Sequence, residues 1–116
     1  MLYEDLTFGS VRIDGVLYDH DIVVDCGKVR KRKKGPSKEF RAQFGHTPLT
    51  AYEEIPWRCQ RLVIGTGIHG QLPVTPDVHQ EARRRKIELL VVPTAQAVAL
   101  LNERPSHTNA ILHLRC

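Results

Sequence analysis

Residues 61–72 read Arg-Leu-Val-Ile-Gly-Thr-Gly-Ile-His-Gly-Gln-Leu, a buried-strand pattern that runs directly into three glycines. Leu62, Val63 and Ile64 form the continuous apolar run of a strand covered on both faces. Gly65, Gly67 and Gly70 satisfy G-x-G-x-x-G, the arrangement that brings backbone N–H groups to a pyrophosphate at a helix N-terminus. A dinucleotide site demands more than spacing, because its third glycine lies in the first turn of the following helix. Here Gly70 is followed by Gln71, Leu72, Pro73 and Pro76, so the helix starts about six residues too late for that role. The acidic residue that would hold a ribose belongs at the end of the next strand, whereas Glu88 stands at its beginning. No Gly-Lys-Ser/Thr follows the glycines, which removes a mononucleotide loop. The stretch therefore reads as a tight exit from a buried strand, and no cofactor is called for.

Downstream, Thr75 is placed to cap a helix with Pro76 at its first position, Asp77 at its positive end and Arg83 to Lys86 at its negative end. Ile87 to Val92 is a second buried-strand run, which makes a βαβ unit with a parallel pair. Thr94 then caps a third helix bearing Ala97, Val98 and Leu101 on one side, and Ala110 to Leu114 is the closing strand. Upstream, Val11 and Ile13 alternate with Ser10 and Arg12, and Asp14-Gly15 is the two-residue turn of a hairpin returning through Val16 to Tyr18. Ile22 to Val24 and Val29 to Arg32 are further short strands. Residues 33–48 read as a long surface loop. Thr50 with Glu53 spells a capping box for a short helix that Pro56 stops. The architecture is α/β, with an antiparallel beginning and a βαβαβ-like end.

A chain of 116 residues with 41% hydrophobic content is expected to form one domain over residues 1–116. Nothing approaches the roughly 18 apolar residues of a membrane span, and Glu4 and Asp5 stand where a signal peptide would be basic and then apolar, so a soluble, cytoplasmic protein is expected. Cys26, Cys59 and Cys116 are odd in number and widely spaced, which speaks against a disulfide framework or paired zinc ligands. His113 and Cys116, three apart on a strand, point to opposite faces, so no metal site is expected. The formal charge of +4 rests on one segment, since without Arg30, Lys31, Arg32, Lys33 and Lys34 the balance falls to −1.

Three functional readings follow. The glycine loop lies at the carboxyl end of a parallel strand, where open α/β sheets place their ligands. A cleft of Gly65, Thr66, Gly67, His69, Gly70, Thr94 and His46, with the basic segment Arg30 to Lys34 beside it, suits a small anion or a protein partner. The same cleft in an enzyme would use His46 or His69 as acid or base. Nucleic acid is the least favoured partner: Arg30 to Lys34, Lys38 and Arg41 would meet phosphates, and Phe40 and Phe44 would stack on bases. Catalytic residues and oligomeric state are not legible.

Several short stretches, taken in order, carry a family resemblance. They are Phe8-Gly9, Ile13-Asp14-Gly15, Tyr18 with Asp21-Ile22, Arg30 to Lys38, His46-Thr47-Pro48-Leu49, Ile64-Gly65-Thr66-Gly67 with Gly70, Pro93-Thr94, Ala97, Asn102, and Leu112-His113 to Cys116. The chain resembles the domain-of-unknown-function family of small archaeal and bacterial proteins that includes the vertebrate adipogenesis-associated protein and, more distantly, a mitochondrial complex I assembly factor. It departs from that family at Arg115, where a small hydroxyl residue is commoner before the cysteine. The resemblance implies a three-layer α/β fold with a mixed central sheet. It also implies an assembly or signalling-associated role rather than a known enzymatic one.

Overall fold

The computed structural model describes residues 1–116. Strands β1 (Tyr3–Thr7), β2 (Ser10–Ile13) and β3 (Val16–Tyr18) form a three-stranded antiparallel sheet. Strands β4 (Ile22–Asp25), β5 (Lys28–Lys31), β6 (Arg61–Thr66), β7 (Glu88–Val92) and β8 (Thr108–His113) form a five-stranded sheet in the order β5-β4-β8-β6-β7. The trio β8, β6 and β7 is parallel, and β4 and β5 complete the sheet by antiparallel pairing. Helices α1 (Arg41–Phe44), α2 (Pro76–Arg84) and α3 (Thr94–Glu103) supply the remaining regular structure, with a 3₁₀ helix over Gly35–Phe40 leading into α1. The mixed three-layer α/β expectation is met.

The layers follow from the two-residue period of the strands, which sends alternate side chains to opposite faces. Val24, Val63, Ala110 and Leu112 pack on one face with Val11 and Ile13 of the small sheet and Ala97 and Leu101 of α3. Val23, Leu62, Ile64 and Ile111 pack on the other with Val78 of α2 and Leu49, Ile55 and Leu72 from the connecting segments. All six residues of β6 are buried, as the run at residues 62–64 predicts for a strand inside the sheet. Strand β7 is only half-buried, contrary to the expectation from Ile87 to Val92, because it forms the sheet edge. No helix is long and apolar enough to cross a membrane.

The hairpin at Asp14-Gly15 is present, with φ of 48° and 83° at the two turn residues. Strand β1 is absent from the sequence reading because its register shifts between Glu4 and Thr7, and Asp5 takes φ 52°, so no alternation survives. Helix α3 is pinned to β1 by Asn102, whose side-chain amide exchanges hydrogen bonds of 2.9 Å with the Tyr3 N–H and C=O. Arg61 donates to the Arg104 carbonyl just past α3 and adds a second donor to the Leu100 carbonyl, which the Arg104 N–H already caps.

Residues 33–48, read as a surface loop, instead hold the 3₁₀ helix and α1, and three expectations about helix capping need correction. Residues 50–55 form no helix, since Glu53 turns its carboxylate to Arg32 instead of reaching back to the Thr50 N–H. Thr75 does not cap α2 through its side chain; its hydroxyl donates to the Leu49 carbonyl, 3.1 Å away, while Pro76 does open the helix. Thr94 is not a cap either. It is drawn inward between Gly67 and His113, and Pro93 takes the capping position.

Candidate functional site

The loop after β6 is closed by the chain itself. The N–H of Gly67 donates to Thr94 Oγ1 at 2.8 Å, and that hydroxyl donates to the His113 carbonyl at 2.6 Å. Ile68 N–H donates to Arg115 O, Gln71 N–H to Cys116 O, Gly70 N–H to Gly67 O and Leu72 N–H to Thr66 O. These donors are spent within the protein, so the glycine N–H groups of Gly67 and Gly70 do not hold an anion. What the glycines provide is proximity. A Cβ on Gly67, at φ +108°, would lie 2.2 Å from the Arg115 carbonyl oxygen, and one on Gly65 would lie 2.8 Å from Thr94 Oγ1. Thr66 Oγ1 donates to the Val92 carbonyl, and His69 sits exposed at the surface, 6.3 Å from the Phe8 ring.

The segment Leu114 to Cys116 thus lies across the loop, and the open space at this sheet edge moves toward β4 and β5. The residues after β5 and β8 meet there those before β4, because antiparallel pairing brings these three strand ends to one side. A cavity of about 560 Å³ opens between them, with Lys34, Lys38, Arg41 and Arg115 on its walls together with His46, His113 and Cys116. A smaller cavity of about 250 Å³ adjoins it through Arg32, Lys34, His113 and Arg115. No Asp or Glu lines the larger one, and Lys34, Lys38, Arg41 and Arg115 take part in no ion pair. Of the predicted cleft residues, His46 lines it, whereas Gly65, Thr66, Gly67, His69, Gly70 and Thr94 do not.

Below the cations lies a buried polar network. Arg32, only 4% exposed, grips Glu53 with Nε and Nη2 at 2.8 and 2.9 Å and donates to Asp21 Oδ2 and the Pro48 carbonyl, both at 3.0 Å. Ser37 Oγ donates to Glu53 Oε2 at 2.5 Å and lies 2.7 Å from Thr50 Oγ1. The basic segment therefore divides. Arg32 is a structural cation that also lines both cavities, Arg30 Nη2 donates to the Glu54 carbonyl, and Lys31, Lys33 and Lys34 remain exposed. Phe40, read as a stacking platform for bases, instead lies parallel to Tyr52 at 6.1 Å.

Asp21 joins this network to the cleft wall, accepting from His113 Nδ1 at 2.7 Å and from the Leu114 N–H at 3.0 Å. Burial alone would raise its pKa, but the hydrogen bond and charge of His113, the Leu114 N–H and Arg32 outweigh it and hold the carboxyl below its ordinary range. Cys116 Sγ stands 3.7 Å from His46 Nδ1 at the rim. Sequence reasoning missed Asp21, His113, Lys38, Arg41 and Arg115 as one group. They come from separate stretches of the chain, and only the fold joins them.

The comparisons agree with this architecture. A family described as "Protein of unknown function (DUF498/DUF598)" matches residues 3–112. The structure of the conserved hypothetical protein PH1505 from Pyrococcus horikoshii OT3 is 29% identical over 100% of both chains, with a TM-score of 0.82. The protein MT938 is 30% identical over 99% of this chain and 98% of its own, with a TM-score of 0.74. A Bordetella pertussis protein described as a Mth938-like domain is 15% identical over 97% of this chain and 85% of its own, at a TM-score of 0.62, a likeness of fold. No curated protein matches the chain.

Proposed function

The chain belongs to the DUF498/DUF598 family, and from that premise we propose that it is a non-enzymatic binding or assembly module. It acts as one domain over residues 1–116 and takes an anionic ligand, or an anionic group on a protein partner, into the cleft. One observation carries this reading: Lys34, Lys38, Arg41 and Arg115 line a single cavity that no Asp or Glu side chain lines. Unit charges 4 Å apart attract by about 1 kcal/mol in bulk water and about 4 kcal/mol under the weaker screening near a protein surface. Several cations converging on one anion are therefore enough for specific binding. Kinship with the adipogenesis-associated protein and the complex I assembly factor is part of the same proposal and fits an assembly role.

Calorimetric titration with inorganic phosphate tests it. Saturable binding that weakens with added salt and falls in Lys34→Ala and Lys38→Ala is expected. Absence of binding at millimolar phosphate counts against the proposal.

A second reading, an enzyme using His46, is favoured by the 3.7 Å approach of Cys116 Sγ to His46 Nδ1. It requires a turnover that His46→Ala abolishes while the melting temperature stays unchanged. Nothing comparable accompanies His69.

A further inference from the structure

The cleft contains one group that attraction between opposite charges leaves unexplained. His113 ends β8 with its side chain 11% exposed and its Nδ1 2.7 Å from Asp21 Oδ2. Asp21 is fixed through both oxygens, Oδ1 by the Leu114 N–H and Oδ2 by Arg32 Nη1 as well as His113. It is held as a carboxylate, and a carboxylate only accepts hydrogen bonds. The proton between the two residues therefore belongs to Nδ1. In a neutral imidazole so oriented, Nε2 carries a lone pair.

That second nitrogen makes no hydrogen bond within the protein, and it is not sealed from solvent, since Arg30 Nη1 alone is a buried side-chain polar atom without a partner. His113 lines both cavities. The cleft thus presents cationic N–H donors from Lys34, Lys38, Arg41 and Arg115, and among its polar groups His113 Nε2 is an acceptor fixed by Asp21, whereas the Thr47 hydroxyl and the His46 imidazole can turn to donate. An anion that only accepts meets a lone pair at Nε2. An anion that keeps one O–H satisfies every group.

We propose that the cleft selects hydrogen phosphate, whose charged oxygens face the lysines and arginines while its O–H donates to His113 Nε2. Asp21 is the positioning residue that keeps the imidazole proton on Nδ1. This rests on the anion-binding reading above and adds to it the identity of the anion. Buried polar groups discriminate strongly against ligands that leave them unpaired. In another setting an acceptor fixed among donors would be a defect; here it is a selectivity device.

The test compares three probes by calorimetry at about pH 8. Inorganic phosphate there still carries one O–H, whereas sulfate and glycerol phosphate are dianions without one on the charged group. Wild-type protein is expected to bind phosphate about tenfold more tightly than either competitor, a difference of about 1.4 kcal/mol. His113→Leu is expected to bring phosphate down to the affinity of sulfate while leaving sulfate no weaker. Asp21→Asn, whose amide can donate to Nδ1 and so shift the proton to Nε2, is expected to erase the preference with the imidazole still present. Equal binding of all three probes by the wild type, or a preference that survives in both variants, overturns the proposal and leaves the anion-binding reading standing. Failure of every anion to bind overturns both. Nitrogen chemical shifts of His113 in the unliganded protein provide a check that needs no variant: the Nδ1–H tautomer is expected, and the Nε2–H tautomer overturns the proposal.

Discussion

Gly67 and Arg115 approach so closely that a single methyl group at position 67 would sit 2.2 Å from the Arg115 carbonyl oxygen. The same two segments are joined by the hydrogen bond from Ile68 N–H to that carbonyl, 3.0 Å long. A glycine pattern that resembles a phosphate loop is thus the seat of the chain's last segment. That segment in turn places Arg115 and His113 on the cleft.

Gly67→Ala is expected to destabilise the fold by about 3 kcal/mol or more, since it adds both a backbone clash and strain at a positive φ. Gly15→Ala, at a turn with nothing within 4 Å of the new methyl, keeps the φ strain and lacks the clash. Its expected cost is about 1 kcal/mol. Urea unfolding of the two variants separates close approach from backbone freedom.

Thr94→Val is expected to cost about 2 kcal/mol by leaving the buried Gly67 N–H and His113 carbonyl without partners. Thr94→Ser, which keeps the hydroxyl, is expected to retain most of that stability. A loss in Thr94→Ser with none in Thr94→Val would show that the methyl group matters and the relay does not.

Breaking the buried Arg32–Glu53 pair from one side leaves a charge without its partner. Glu53→Leu is expected to cost about 3–5 kcal/mol, and the double variant Arg32→Leu with Glu53→Leu less than the sum of the two single losses. A double-mutant cycle measured by denaturant unfolding provides the coupling. Additive losses would mean that the two side chains do not act as a pair.

The pKa of Asp21 is lower in the folded protein than in the unfolded chain. Its contribution to stability is therefore complete above the ordinary carboxylate range, about pH 4, and is lost as the pH falls below it. Asp21→Asn is expected to be less stable than wild type near neutral pH and to show a shallower loss of stability as the pH falls below about 4. Parallel acid limbs for the two proteins would remove Asp21 from this role.

Local signals in the sequence reached as far as local forces do. The Asp14-Gly15 hairpin, the run at residues 62–64 and the Pro76 helix start are each decided by neighbours along the chain, and each stands in the structure. Thr50 and Thr94 misled because each hydroxyl has a tertiary partner that replaces the cap, and Thr75 holds the N-cap position of α2 but spends its hydroxyl elsewhere. The site was less legible still. Arg32 and Glu53 are separated by 21 residues and Asp21 and His113 by 92, and no spacing rule links such pairs. The position of the cleft at the carboxyl edge of the sheet was readable. Its shift from β6 and β7 toward β4 and β5 was not, because it depends on where Leu114 to Cys116 come to rest.

The central claim is that this edge binds anions through the Lys34–Arg115 cleft and not through the glycine N–H groups. Amide chemical-shift mapping during titration with inorganic phosphate tests it most directly. The account predicts saturable shifts centred on Lys34, Lys38, Arg41 and Arg115, with Gly67 and Gly70 changing little. Saturable shifts centred on Gly65 to Gly70, or none at any residue up to millimolar phosphate, would contradict it.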